Sequence, residues 1–171
     1  AAPARRRVTM DLRSEGFSHD RVLAAAFRML DSGSLRVGSE RYTNENGSRG
    51  LATLLCAHVQ VRKDRIMLRF PAKSGKDWES EIRDPDLAVL IRLLKRRGPN
   101  ARLLAYKAGR TWRPVTSAEI NAYVKERTGS DFTAKDFRTL RGTVAAAASL
   151  ARTGPQKTVA KRKRAVSRAM M

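Results

Sequence analysis

The chain has 171 residues, 42% of them hydrophobic and 30% charged, with a formal net charge of +20 at pH 7. That length suffices for one domain, or two small lobes, with a sizeable core, and the ordinary apolar content predicts a folded protein. So large a positive charge points to a polyanion, nucleic acid being the commonest candidate; no long apolar run or lipidation motif supports a membrane partner, and the single cysteine, Cys56, excludes an intrachain disulfide.

Residues 1–8, rich in Ala, Pro and Arg, read as a linker. The first residue is alanine and no cleavable signal peptide is visible, so an excised piece of a longer intracellular protein is expected. Ser18 is a plausible N-cap for a helix over 19–31, with Val22, Leu23, Ala26, Phe27 and Leu30 on one face and Gly33 as its stop. Arg36 follows at once, then a short apolar run over 51–54.

Alternation comes next. Val59 and Val61, then Ile66, Leu68 and Phe70, share one face, with Lys63-Asp64 as a tight turn; Trp78 to Ile82 also alternates. Three antiparallel strands are predicted, with Lys73 to Lys76 in the second connection. A helix should open at Asp84-Pro85 and end before Gly98, with Leu87, Leu90, Ile91 and Leu94 on one face. Tyr106 ends a short strand-like run. Thr116-x-x-Glu119 is a capping box for another helix, closed by Gly129, and Thr133-x-x-Asp136 opens a further one carrying Arg138. Its continuation, Val144 to Leu150, is alanine-rich and allows close helix packing. From Phe137 to Met171 there is no Asp or Glu, and Lys161-Arg162-Lys163-Arg164 reads as a solvated or mobile segment able to touch phosphates. The fold class is therefore α+β, mainly helical, a helical domain with one small three-stranded antiparallel sheet.

The chemistry-bearing residues are few. His19 and His58 are far apart and lack a Cys or His partner at ligand spacing, so no metal site is expected; His58 reads as a hydrogen-bonded structural histidine. Cys56 sits in an apolar run and reads as a small buried hydrophobe. No GxxxxGK[ST] pattern occurs, which leaves ATP use unsupported, and no cofactor is expected. Taken singly, Arg36, Lys73 and Arg138 are ordinary surface cations. Taken together, two arginines and a lysine from distant segments suit phosphoryl transfer: arginine forks hold the equatorial oxygens of a pentacoordinate transition state, and a lysine can protonate a leaving oxygen.

The order and neighbours of these residues carry a resemblance. Leu35-Arg36-Val37-Gly38, Glu40-Arg41-Tyr42, Glu45-Asn46-Gly47-Ser48, Gly50-Leu51, Thr53-Leu54, His58-Val59, Ala72-Lys73-Ser74-Gly75-Lys76 and Asp131-Phe132-Thr133-Ala134 running into Lys135-Asp136-Phe137-Arg138-Thr139 appear in a familiar sequence. The chain resembles the catalytic domain of type IB DNA topoisomerases, in the bacterial and poxvirus-like branch, over most of Thr9 to about Arg152. The resemblance implies that Arg36 and Arg138 clamp the scissile phosphate and that Lys73 is the general acid. It implies DNA contacts for Tyr42, Lys76, Lys135 and Arg141. In the similar tyrosine recombinases a histidine commonly stands where Lys135 does, which favours the topoisomerase. The family's chemistry needs neither metal nor ATP and passes through a 3′-phosphotyrosyl link.

The family's nucleophilic tyrosine is expected in a segment beyond this chain, because its tyrosines, Tyr42, Tyr106 and Tyr123, all lie upstream of Arg138, and Tyr106 and Tyr123 suit packing. The expected organisation is a linker over 1–8, a catalytic domain over 9–154 and a basic segment of the same domain over 155–171. The expected partner is duplex DNA, bound by a monomer in the cytoplasm at the nucleoid, because aromatic residues for stacking single strands are sparse. Two rivals remain open: a tyrosine recombinase or integrase domain, and a non-enzymatic basic DNA-binding module.

Overall fold

The helix α2 (His19–Gly33) is buried on nearly all sides and the rest of the chain is laid around it. The structure is a computed structural model that describes residues 2–33, 35–129, 131–155 and 158–170, apart from the Tyr42 side chain. Val22, Leu23, Ala26, Phe27 and Leu30 are buried as their spacing predicts, and Ala24, Ala25 and Met29 are buried too. Each large apolar side chain so removed from water contributes about 1.5–3 kcal/mol. Ser18 Oγ accepts the Arg21 N–H at the helix start. Arg21 itself is buried because its guanidinium donates to the carbonyls of Leu12 and Gly16.

Residues 1–8 were expected to be a linker; residues 2–8 instead belong to α1 (Ala2–Leu12), whose buried stripe Ala4, Val8 and Leu12 packs on α2. The four-residue spacing of that stripe is helical, and the alanine and arginines around it favour a helix. Arg5 ties α1 to Asp31 through two hydrogen bonds of 2.8 and 2.9 Å.

After α2 the chain forms α3 (Glu40–Asn46), two short 3-10 turns at Leu51–Thr53 and Cys56–His58, and then the predicted meander. Its strands are β1 (Val59–Arg62), β2 (Arg65–Pro71) and β3 (Asp77–Arg83), antiparallel in the order β1-β2-β3. Val59 faces Leu68 and Val61 faces Ile66, so the apolar alternation sets the register that buries Ile66, Leu68, Phe70 and Ile82 on the core side. A 3-10 turn at Lys73–Gly75 joins β2 to β3, which puts Lys73 at the end of the hairpin.

Asp84 caps α4 (Pro85–Lys95) by accepting the Leu87 N–H, and its other oxygen takes the Arg28 guanidinium at 2.7 Å. The single predicted sheet is joined by a second, two-stranded one, β4 (Ala105–Ala108) with β5 (Thr111–Pro114). Thr116 and Glu119 close the predicted capping box of α5 (Ser117–Thr128). Thr133 and Asp136 do the same for α6 (Ala134–Thr153). Only Ala134 and Phe137 of α6 are buried: the alanine-rich part, expected to allow close packing, stays outside the core and lies against α7 (Val159–Met170). The basic segment is thus a helix, with every described residue at least partly exposed. No helix among the described residues is long and apolar enough to cross a membrane.

Candidate active site

Three segments far apart in sequence meet at one cleft of about 590 Å³. Arg36 enters from the C-terminal end of α2, Lys73 from the β2–β3 turn, and Lys135 with Arg138 from the first turns of α6.

Each side chain is held by its backbone. The Arg36 and Val37 carbonyls accept the N–H groups of Leu51 and Ala52 at 2.8 and 2.7 Å. Gly38 and Gly50 cross there with their backbones in contact, a Cβ on Gly38 lying only 2.6 Å from the Gly50 Cα. The same ribbon holds the hairpin end: the Arg49 N–H donates to the Pro71 carbonyl at 2.8 Å, and Ser48 Oγ donates to the Ala72 carbonyl at 3.2 Å. Residues 48–52 therefore tether the Arg36 loop on one side and the Lys73 turn on the other.

The α6 arm is fixed by different means. Asp136 accepts both the Thr133 N–H and Oγ1 hydroxyl at 2.7 Å, which holds its carboxyl below the ordinary carboxylate range. Asn121 of α5 accepts the Ala134 N–H at 3.1 Å. Phe137 is buried with its ring edge-on to Phe27 at 5.1 Å and to Phe132 at 5.0 Å. One residue on, Arg138 turns into the cleft.

The cleft is positive and uncompensated. Among the described residues no carboxylate forms an ion pair with Arg36, Lys73, Lys135 or Arg138. Burial, and then the positive charge of Arg36, lowers the Arg138 pKa, so the two guanidinium groups already feel each other. Such a pair favours an anion between them and donates to its oxygens in fixed geometry. Among the described residues no group of three His, Cys, Asp or Glu side chains could hold a metal ion.

Of the other residues singled out in the sequence, Lys76 is exposed just past the Lys73 turn, where its carbonyl accepts the Ala72 N–H at 2.9 Å. Arg141 lies on α6 beyond Arg138 and donates to the Ser32 carbonyl at the end of α2. Tyr42 is on α3, its side chain outside those described. The structure adds Arg49, Ser39, Asn46, Ser48 and Asn121 to the lining. Arg49 donates to the Thr53 carbonyl at 2.7 Å, and burial lowers its pKa, with Arg102 acting in the same direction. Arg102 grips Glu40 with two bonds of 2.6 Å, which pins α3 beside the ribbon. Nothing in the spacing of Asn121 or Arg49 marks them; only the packing of α5 and of the ribbon brings them in.

The remaining polar candidates are engaged elsewhere. His58 Nδ1 accepts the Leu55 N–H at 3.0 Å. Cys56 is buried, and burial pushes its thiol pKa up. Tyr123 is buried, donates to Asp11, and has its hydroxyl pKa raised chiefly by burial and then by Asp11. The Tyr106 ring lies against His19 with centroids 4.4 Å apart.

A family profile described as the catalytic core of eukaryotic DNA topoisomerase I matches residues 2–171. The chain belongs to that family and is a type IB topoisomerase domain. It is 31% identical over 128 residues to DNA topoisomerase 1B of Acanthamoeba polyphaga mimivirus, a match covering 72% of this chain and 38% of the relative. It is 33% identical over 86 residues to DNA topoisomerase 1 of Mycosarcoma maydis, covering 48% of this chain and 8% of that protein. The chain thus spans well under half the length of both curated relatives.

Proposed function

We propose that the cleft cleaves and rejoins one strand of duplex DNA through a 3′-phosphotyrosyl intermediate, so that supercoils relax without ATP or metal. The convergence of Arg36, Lys73 and Arg138 on one unneutralised cleft carries this reading. Arg36 and Arg138 hold the non-bridging oxygens of the scissile phosphate and stabilise the charge that grows on them. A tyrosine oxygen attacks phosphorus as its hydroxyl proton passes to solvent water, the P–O5′ bond breaks, and Lys73 protonates the departing 5′-oxygen. Religation is the reverse: the 5′-hydroxyl attacks, returns its proton to Lys73, and expels the tyrosine, whose oxygen takes up a proton from water. Lys76, Lys135, Arg141 and Tyr42 contact the duplex around the cut.

The attacking hydroxyl comes from outside these 171 residues. Tyr123 is bound to Asp11 and Tyr106 packs on His19, which supports that assignment. The protein is of the bacterial and poxvirus-like branch, acts as a monomer because one chain supplies Arg36, Lys73 and Arg138 to the cleft, and works at the nucleoid.

Plasmid relaxation in EDTA without ATP, stopped with SDS and probed for a covalent protein–DNA adduct, tests the reading. The chain alone should bind duplex and give no adduct. Joined to a tyrosine-bearing C-terminal segment, it should relax plasmid and form one. Duplex binding without either activity in the joined protein would replace the enzyme with a basic binding module.

A further inference from the structure

One cation of the cleft takes no part in holding the scissile phosphate or in moving its protons. Arg49 of the 48–52 ribbon lines the cleft together with Arg36, Lys73, Lys135 and Arg138, and no carboxylate lines it. Arg49 is half-buried, and among the described residues it forms no ion pair. Glu40 is the carboxylate whose charge acts on it, and Arg102 already takes both oxygens of that carboxylate at 2.6 Å. Burial, and then the positive charge of Arg102, lowers the Arg49 pKa. A cation in such surroundings gains from an anion brought beside it.

The guanidinium is held ready for one. Its Nη1 donates to the Thr53 carbonyl at 2.7 Å. Thr53 is itself fully buried, and its hydroxyl oxygen accepts the Gly50 N–H at 2.9 Å. An arginine fixed in this way loses little further side-chain freedom when it grips a ligand. Its Nε–Nη2 edge can meet two oxygens of a phosphate at once.

Its attachment selects the phosphate. Of the three cleft arginines, Arg49 is the one bonded to the hairpin that carries Lys73. Its N–H donates to the Pro71 carbonyl at 2.8 Å, and Ser48 Oγ donates to the Ala72 carbonyl at 3.2 Å, directly before Lys73. Lys73 serves the departing 5′-oxygen, and Arg36 and Arg138 occupy the scissile group. The next anion on the Lys73 side is the first phosphate of the departing strand.

We propose that Arg49 grips the first phosphate beyond the departing 5′-oxygen and so keeps the nicked strand within reach of religation. This rests on the reading of the cleft as a site of strand cleavage. Arg49 binds the strand and leaves the reacting atoms to Arg36, Lys73 and Arg138.

The test is a charge-deletion cycle on religation. The tyrosine-completed protein is linked covalently to one strand of a duplex at a mapped cleavage position, and its religation to added 5′-hydroxyl strands is timed below saturation. These strands carry normal phosphates, or one uncharged methylphosphonate at the first or at the third phosphate. In the wild type, methylphosphonate at the first phosphate should slow religation by about tenfold, as loss of one charge-assisted contact would. In Arg49→Gln the normal strand should already be slow by about that factor, and methylphosphonate at the first phosphate should add less than about twofold. Strands are compared within one protein, so a partly unfolded variant changes every rate alike. An equal first-phosphate penalty in variant and wild type, or no penalty in the wild type, would overturn the inference. Non-additivity at the third phosphate instead of the first would also overturn it. A wild-type protein that forms no adduct at all would refute the strand-cleavage reading itself.

Discussion

Gly38 and Gly50 touch backbone to backbone: a Cβ on Gly50 would stand 2.4 Å from the Gly38 Cα and 2.8 Å from the Arg36 carbonyl oxygen. That crossing sets where Arg36 leaves the chain, and Gly38 also needs its φ of +77°. Gly50→Ala should therefore cost about 1–3 kcal/mol through overpacking and shift Arg36 away from Arg138. Thermal unfolding checks the first effect, and adduct yield in the tyrosine-completed protein checks the second. Gly142→Ala is the contrast: this α6 glycine has open space around it, and alanine there should stabilise by about 0.5–1 kcal/mol. Equal effects at the two positions would remove the crossing from the account.

Phe137 links the core to Arg138, being wedged between Phe27 and Phe132. Phe137→Leu keeps the site apolar but loses both edge contacts. It should lower stability by about 1–2 kcal/mol and lower the cleavage rate beyond what unfolding explains. Rates measured well below the melting temperature separate the two. A variant that is destabilised yet cleaves at the wild-type rate would show that Arg138 is placed by α6 alone.

His58 gives a pH dependence with a definite sign. Burial, and secondarily Arg49, lowers its pKa below the ordinary 6.5, and its Nδ1 must stay unprotonated to accept the Leu55 N–H. The unfolded chain then binds the proton more readily than the folded one. The contribution of His58 is fully present above about pH 6.5 and is lost as pH falls from there through the lower folded value. His58→Asn offers an oxygen acceptor that does not titrate, so its melting temperature should fall less than that of wild type between about pH 7.5 and 5. Parallel curves for the two proteins would contradict the assignment.

Duplex binding should weaken steeply with salt, because the contacts are to phosphates. A log–log slope of affinity on salt of about −4 or steeper is expected if four or more cleft cations each displace a counterion. An affinity unchanged between low and physiological salt would contradict phosphate contact altogether.

Much of this site was legible in the sequence because its parts lie beside local signals. The alternation from Val59 to Ile82 gave the strand register and with it the place of Lys73, and the Thr133–Asp136 box marked the helix that carries Arg138. Other parts had weaker signals. Ala4, Val8 and Leu12 form a thin stripe among arginines, easily taken for a linker, and become a helix by packing on α2. The β4 and β5 strands have four residues each, too short to show a period beside polar Lys107 and Arg113. Asn121 and Arg49 reach the cleft only through tertiary packing, which leaves no trace in local spacing.

The central claim is that Lys73 protonates the leaving 5′-oxygen while Arg36 and Arg138 hold the phosphate. The most direct test is single-turnover cleavage by the tyrosine-completed protein on two duplexes, one with oxygen and one with sulfur at the 5′-bridging position. Sulfur leaves without needing a proton. On the oxygen substrate, Lys73→Ala should slow cleavage by about 10²–10⁴-fold and Arg138→Ala by about 10²–10³-fold, with duplex affinity reduced less than about fivefold. On the sulfur substrate Lys73→Ala should return to near the wild-type rate and Arg138→Ala should stay slow. A Lys73→Ala protein that is equally slow on both substrates, or within a fewfold of wild type on oxygen, would contradict the account.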